Sequence, residues 1–378
     1  MSFSLPANAP LLLAFGELPD PRKQRNRSFP LIDIIAVVIM GILADANDFV
    51  SAYRWAYHRR DWLISLGLCL NGVPSHDTLN RLFRLIDPGK FNECFMQWVH
   101  SIAETIQGVI AIDGKTLCNS GDDFRKTNPL HIVHAFAAEN ELLLGQLATD
   151  AKSNEITAIP ELVKMLTIKG NVITIDAMGC QKNIIKKIRE QEGDYLIALK
   201  GNQGNLHAEA ENFFRQAMEV SPEESGCDFK KFIEKNRGRI EEREVWCCSL
   251  DWLNEKQREE WIDLQSMICI QSTRTFKGKK SRELRYYITN LEPTAERLAK
   301  IVRDHWSVEN KLHWHLDVSF GEDLCKIRTD HAAENFSLVK KMALNLLKTD
   351  TSEKLGVPNK RKLCGWSSEY LLKILGVK

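Results

Sequence analysis

Asn171-Val172-Ile173-Thr174-Ile175-Asp176 alternates β-branched residues and closes on an aspartate, the pattern of a strand that runs into a turn. Upstream, Gly108-Val109-Ile110-Ala111-Ile112-Asp113 is a second short apolar run with the same ending, and Gly114 follows it. Between and after these runs the apolar period changes several times. Residues 130–138 and 142–149 read as strands joined by Glu139-Asn140-Glu141, a hairpin-like turn. Residues 154–166 put Ile156, Ile159, Leu162, Val163 and Leu166 on one helical face, residues 181–191 make a basic amphipathic helix, and residues 195–199 return to strand. The order is three strands, helix, strand, helix, strand.

Three consecutive strands with short links favour an antiparallel meander, whereas a helix that returns the chain to a further strand makes a parallel crossover. If the fourth strand lies beside the first, Asp113 and Asp176 end on neighbouring strands at one edge of the sheet. That is the strand plan of the ribonuclease-H-like fold, an α/β architecture with a mixed sheet flanked by helices. Residues 106–203 make the first part of this core. Residues 1–105 read as an N-terminal helical domain, with an apolar helix over 31–43, a second over 48–66, and a third over 76–86 after Gly72-Val73-Pro74-Ser75. In the third, Leu79, Leu82, Phe83 and Ile86 share one face and Asp77, Asn80, Arg81 and Arg84 the other. This is the outline of a helix-turn-helix and equally of a plain helical bundle. Strand-like runs at 239–249, 267–274 and 284–289 mark residues 204–292 as a β-rich insertion. Residues 293–378 complete the core with helix: Leu298, Ile301, Val302, His305, Val308, Leu312 and Leu316 form a stripe bordered by Glu309.

The chain has 378 residues, 44% of them hydrophobic and 27% charged, so it has the composition of a globular protein large enough for two or three domains. Its net charge of +1 excludes a polycation and leaves nucleic acid to be judged from local charge. Basic clusters stand at Arg22-Lys23-Gln24-Arg25-Asn26-Arg27, at Arg59-Arg60, from Lys277 to Arg285, and at Lys360-Arg361-Lys362. Each alone reads as a solvated face; several together suit a phosphate-contacting surface. Ten cysteines follow no Cys-x-x-Cys spacing, which argues against a zinc ribbon or a thioredoxin-like site. Met1–Pro10 lacks the charge and core of a secretory signal, and the apolar run at 31–43 contains Asp33 and is too short for a bilayer. These features describe a reduced, cytoplasmic protein without a membrane partner. Asp113-Gly114-Lys115-Thr116 has five residues between Gly108 and Gly114, one too many for a phosphate-binding loop, which excludes an ATPase of that type.

Phosphodiester cleavage needs an activated water or hydroxyl and a stabilised leaving oxygen, and two divalent ions bridged by carboxylates supply both. Magnesium prefers carboxylate oxygen and keeps several waters, so a few acids suffice. Asp113 and Asp176 at converging strand ends, with Glu309 on a later helix, meet that requirement. An aspartate at a strand end also serves simply to open a turn. His305, Glu309 and His313 lie at helical spacing, which leaves two further readings of that segment: a transition-metal site, or an amphipathic helix with hydrogen-bonded histidines.

Several motifs together resemble a known family: Ala111-Ile112-Asp113-Gly114-Lys115-Thr116-Leu117, Thr174-Ile175-Asp176-Ala177-Met178-Gly179-Cys180-Gln181, Leu199-Lys200-Gly201-Asn202-Gln203, His305-Trp306 with Glu309-Asn310 and Leu312-His313-Trp314, and Leu316-Asp317-Val318 with Phe320 and Glu322-Asp323. The chain is similar over nearly its whole length to the H-repeat-associated proteins, bacterial insertion-sequence transposases of the Asp-Asp-Glu type. The resemblance implies a ribonuclease-H-like core interrupted by a β-rich insertion, an N-terminal helical domain, and Asp113, Asp176 and Glu309 as a catalytic, metal-binding triad. It also implies two magnesium ions, with manganese as a substitute. Cys118 stands where relatives carry a basic residue, and Val302, His305 and Leu316 stand where the wider superfamily has Tyr, Arg and Lys.

The expected activity is cleavage at element ends and strand transfer into target DNA, with double-stranded terminal inverted repeats and target DNA as partners and a homodimer on the DNA. Lys115, Lys200, Gln203 and Asn310 are the candidate DNA-binding residues, His313 is expected to pack or cap, and Trp306 and Trp314 are expected in the core. A DNA-binding remnant without catalysis and a stand-alone nuclease of the same fold are the alternatives.

Overall fold

The computed structural model describes residues 10–377 apart from 104, 123, 125, 150–153, 237 and 238. The reading of Met1–Pro10, except for Pro10 itself, lies outside the described residues. The N-terminal zone holds α1 (Pro10–Gly16), α2 (Leu31–Leu43), α3 (Phe49–His58), α4 (Arg60–Ser65), α5 (His76–Leu85) and α6 (Pro88–Ile102). Side-chain oxygens set the starts of three of them: Asp48 accepts from the Ser51 N–H, Ser75 from Thr78 and Asp87 from Lys90. The single helix expected over 48–66 breaks at Arg59, whose backbone leaves helical geometry at φ −117°. There the Arg59 guanidinium reaches Ser368 at 2.7 Å and the Gly365 carbonyl near the C-terminus, a partner that local periodicity does not reveal. The aspartate in the apolar α2 is explained by its partner: Asp33 is buried and accepts the Cys69 N–H at 2.8 Å.

Nine strands follow: β1 (Val109–Thr116), β2 (His131–Ala137), β3 (Leu142–Ala148), β4 (Val172–Ile175), β5 (Asp194–Leu199), β6 (Asp228–Asn236), β7 (Arg239–Ser249), β8 (Ser266–Phe276) and β9 (Lys279–Thr289). They make one sheet in the order β3-β2-β1-β4-β5-β9-β8-β7-β6. β1, β2 and β3 form the antiparallel meander, and β1, β4 and β5 are parallel neighbours. The crossovers are α7 (Glu155–Met165) and α8 (Lys182–Glu190). This is the ribonuclease-H-like plan expected from the strand and helix order.

After α9 (Gly204–Ala217) and α10 (Pro222–Ser225), the β-rich stretch adds to the same sheet, because β9 pairs antiparallel with β5. The strands expected at 239–249, 267–274 and 284–289 are β7, β8 and β9; α11 (Glu255–Glu259) lies between the first two. β6 was not legible as a strand. It is the outer edge strand and carries Lys230, Lys231, Glu234 and Lys235, the charged composition with which edge strands avoid further pairing.

α12 (Ala295–His305) packs on β1, β4, β6 and β7. Two π-helical turns, Glu309–His313 and His315–Ser319, continue from it. The expected stripe is buried throughout: Leu298, Leu312 and Leu316 are wholly inaccessible and the other members nearly so. α13 (Ala332–Thr349) is buried along most of its length and contacts α2, α5, α6 and β3, so one hydrophobic core runs from the N-terminal helices into the sheet. α14 (Val357–Trp366) and α15 (Ser368–Ile374) close the chain.

Two of the basic clusters are partly structural, the one at 360–362 and the one at 22–27. Lys360 and Arg361 are buried and only Lys362 of that cluster is exposed. Arg22 is held by Asp20 at 2.8 Å and by the Phe29 carbonyl. Internal partners take Arg22, Lys360 and Arg361 out of a phosphate-facing surface, while Lys23, Arg25 and Lys362 stay exposed. No described helix is long and apolar enough to cross a membrane.

Candidate active site

The parallel pairing of β1 with β4 ends at Ile112↔Ile175, so Asp113 and Asp176 are the next residue on each chain. Contrary to the expectation from sequence, β1 does not stop at Asp113; it runs on to Thr116 against β2. Strand alternation puts Asp176 on the face of Thr174, and the rung Ala111↔Thr174 puts Asp113 on that face as well. It is the face covered by α12, since His305 Nδ1 meets Thr174 Oγ1 at 3.0 Å. Glu309 follows α12 by one turn, at the start of the first π-helical turn. Its side chain is exposed and makes no hydrogen bond or ion pair among the described residues.

The three histidine–glutamate positions of this segment do not form a common site. His305 is tied to Thr174, while His313 turns to His134 at 3.4 Å and to Asp113, with its Nδ1 at 3.6 Å from the Asp113 Oδ2. The change to π-helical winding after Val308 alters the phase that α-helical spacing assumes. Among the described residues, no group of three or more His, Cys, Asp or Glu side chains stands close enough as placed to hold a metal ion.

The carboxyls of this edge are raised above all by burial, and further by neighbouring acids. Burial pushes the Asp113 carboxyl up to about 7, against the Gly114 N–H bond that favours its charge; the negative charges of Glu309, Glu155 and Asp176 push it further. Burial also raises Asp176, with Glu155 adding to it and Lys200 opposing it. Glu155 is the residue that sequence reading missed. It opens α7, accepts from His131 Nε2 at 2.6 Å, and lies against Gly114. A Cβ on Gly114 would sit 2.0 Å from the Glu155 Oε1 and 2.5 Å from the His131 Nε2, so any larger residue beside Asp113 would push those two side chains aside. The available signal was Asn154-Glu155, a helix cap followed by an acid in the first turn, which by itself points only to the helix.

Three imidazoles under this edge are held neutral by burial: His134 well below its ordinary value, His305 at about 4 and His313 at about 3. For His305 the consequence is measurable. The unfolded chain takes up a proton below about pH 6.5 while the folded one does not until about 4, so the contribution of His305 is complete above 6.5 and is lost as pH falls. The stability difference between wild type and His305→Gln should shrink by about 2 kcal/mol from pH 7.5 to pH 5, measured by urea unfolding. A difference that does not change with pH would mean that His305 is not held neutral.

The residues expected to touch DNA have different surroundings. Lys115 is mostly buried and paired with Asp317 at 2.7 Å and Asp323 at 3.4 Å, so it faces carboxylates rather than an open surface. Gln203 donates to the Cys180 carbonyl at 2.8 Å and Asn202 to that of Ala177 at 2.7 Å; together they tie the loop after β5 to the turn after Asp176. Asn310 is exposed, with a long 3.5 Å contact to the Trp306 carbonyl. Lys200 is exposed and lines a cleft beside Asp176, with His207, Arg285, Tyr287 and Trp306. Trp306 and Trp314, expected in the core, are 40% and 49% exposed. Arg285 lies over the Trp306 ring at 4.6 Å, which accounts for a tryptophan outside the core.

Comparison with known proteins points to a family. Residues 104–346 match the family described as "Transposase DDE domain", and residues 12–99 match the one described as "DDE_Tnp_1-associated". The chain is 40% identical over 363 residues to the "H repeat-associated putative transposase YhhI" of Escherichia coli (strain K12), covering 95% of each. It is 40% identical over 376 residues to the "Putative transposase YncI" of Escherichia coli O157:H7, covering 97% of this chain and 94% of that one. A solved structure of the piggyBac transposase synaptic complex with hairpin DNA aligns at a TM-score of 0.45 and 10% identity, covering 91% of this chain and 73% of that chain. With both family matches and near-full-length relatives in hand, the chain belongs to the transposase DDE-domain family, in its H-repeat-associated group.

Proposed function

We propose that this chain cuts double-stranded DNA at the terminal inverted repeats of a mobile element and joins the freed 3′ ends to target DNA, acting as a homodimer on the DNA. The observation that carries the reading is the pairing of Asp113 with Asp176 as the in-register residues following a parallel β1–β4 ladder, on the face from which α12 leads to Glu309. The donor set suits a hard divalent cation: it is all carboxylate oxygen, and Asp113 is raised to about 7 chiefly by burial, with the charges of Glu309, Glu155 and Asp176 adding to it, a cost that bound positive charge relieves. Two magnesium ions, or manganese in their place, would supply an activated water or hydroxyl and a stabilised leaving oxygen.

The chain's own residues do the rest. Asp113 presents its oxygens from within β1, and Asp176 from just past the end of β4. Glu309 brings the third carboxylate from a side chain with no competing hydrogen bond or ion pair among the described residues. His313 flanks Asp113 and, being neutral, adds no charge to it. Lys200, exposed beside Asp176, is placed to meet a phosphate oxygen of the bound strand.

One reaction tests the whole reading. Labelled terminal-repeat DNA is incubated with supercoiled target, full-length protein and magnesium. Nicked ends and joined products are expected. Hydrolysis without joining would make the chain a nuclease, and binding without any cutting would make it a remnant that only occupies repeats.

A further inference from the structure

The sheet register shows where the β-rich insertion leads. β5 pairs with β9 only from Leu199↔Tyr286 to Leu196↔Thr289. The rest of β9 back to Lys279, and the parts of β8, β7 and β6 in register with it (Ile270–Phe276, Arg239–Val245 and Lys230–Asn236), therefore run beyond the C-terminal end of β5. That is the edge on which Asp113 and Asp176 stand. From Tyr286 to Lys279 is seven residues, or about 24 Å of strand at 3.4 Å per residue. Two hairpins thus extend past the carboxylate edge as a four-stranded arm.

The last two rungs of this arm are Lys235↔Ile240↔Thr275↔Lys280 and Arg239↔Phe276↔Lys279. With Lys277 in the β8–β9 turn they gather five cations, all of them exposed. None has a carboxylate partner among the described residues, although Lys277 lies over the Phe276 ring at 5.5 Å. Elsewhere on the arm Arg243 meets Glu234, which Arg303 of α12 shares, Arg274 meets Glu241, Lys231 meets Glu242 and Glu244, Arg285 meets Glu283, and Arg282 bonds the Gln271 side chain. The next acids inward, Glu234 and Glu241, are therefore already engaged. Alternation puts Arg239 and Lys279 on the face of Asp113 and Asp176, and Lys235 and Lys280 on the other. The arm thus ends in a basic cap, with Arg285 and Trp306 at its root on the side of Asp176.

We propose that this cap, Lys235, Arg239, Lys277, Lys279 and Lys280 at the end of the β6–β9 arm, grips the phosphate backbone of duplex DNA at a distance from the carboxylate edge. The proposal rests on the DNA reading above and names a surface that the reading does not require. A lysine-bearing hairpin tip also serves to discourage edge pairing. The grouping of five cations with no acid beside them, in a chain whose total charge is +1, is the sign of a polyanion partner. At an axial rise of about 3.4 Å per base pair, the reach corresponds to about 7 base pairs from the scissile phosphate.

The test uses the full chain, without added metal, and a duplex carrying its own terminal repeat and flanking DNA. Affinity is measured across a salt series for wild type, for Lys277→Ala/Lys279→Ala/Lys280→Ala, and for Lys164→Ala/Lys169→Ala/Lys187→Ala. The second triple removes equal charge from the opposite edge of the sheet, where α7 and α8 end and β4 begins. The arm variant should lower the slope of log K against log salt by about 2–3 and lose hydroxyl-radical protection about 7 base pairs from the cut, while the control keeps both. Equal slopes for the arm variant and wild type, or equal losses in both triples, would overturn the proposal and leave the DNA reading standing. Failure of the wild type to bind the duplex would overturn both. Loss of cleavage with binding retained bears only on the catalytic reading, so the two are separable.

Discussion

Asp113→Asn should abolish magnesium-dependent cutting and at the same time make the metal-free protein more stable. The loss of cutting should be at least about a thousandfold, equivalent to about 4 kcal/mol of barrier, because the substitution removes an anionic oxygen from the centre of the donor set. The gain in stability follows from the burial of that carboxyl, to which the charges of the neighbouring acids add. A carboxyl moved from 3.8 to about 7 costs about 4 kcal/mol when it is ionised in the folded protein at high pH. The sign is set by proton uptake: between 3.8 and 7 the folded chain holds a proton that the unfolded chain has lost, so metal-free stability falls as pH rises through that window. Asparagine has no such slope. The variant should therefore be more stable than wild type at pH 8 by one to a few kcal/mol, with the difference vanishing near pH 4. Magnesium should raise the thermal midpoint of wild type and leave the variant nearly unmoved. Undiminished cutting would remove Asp113 from the site. A variant less stable than wild type at pH 8 would show that the edge is not strained by its own charge.

Arg361→Ala should be the most destabilising single change away from that edge. Arg361 has no solvent exposure, and its guanidinium joins three elements. It donates to the Ile42 carbonyl at 2.8 Å and the Ala46 carbonyl at 2.8 Å, just past the end of α2, and it pairs with Asp45 at 3.2 Å. It also donates to the Ser319 carbonyl at the end of the segment carrying Glu309, and stacks on Phe320 at 4.3 Å. Burial lowers its ionisation to about 10, so it stays charged at neutral pH. Truncation leaves several buried carbonyls without donors and opens a cavity, together worth about 4 kcal/mol or more. Lysine keeps the charge but not the planar fork, and should recover only part of the loss. Urea unfolding followed by circular dichroism measures both. A cost below about 1 kcal/mol for alanine would mean that the α2 end and Ser319 find other donors.

The order of apolar periods in 106–203 was enough to determine the core topology, because strand and helix periodicities differ and a crossover between parallel strands has one dominant hand. Asp113 and Asp176 were legible as acids closing two strand-like runs, whereas Glu309 joined them as a triad only through the family resemblance of the motifs. What the sequence could not express is contact between residues far apart in the chain. Glu155 reaches the carboxylate edge only because α7 crosses over the sheet and Gly114 leaves room. Lys115 and Arg361 look like surface cations in one dimension, and long-range partners at Asp317 and Ala46 turn them inward. Trp306 reads as core until Arg285 arrives from β9 to cover it outside the core. The arm follows the same rule. Lys277 to Arg285 is a basic run in the sequence, and only the hydrogen-bond register of β5 against β9 decides that its far end projects past the edge where the aspartates stand.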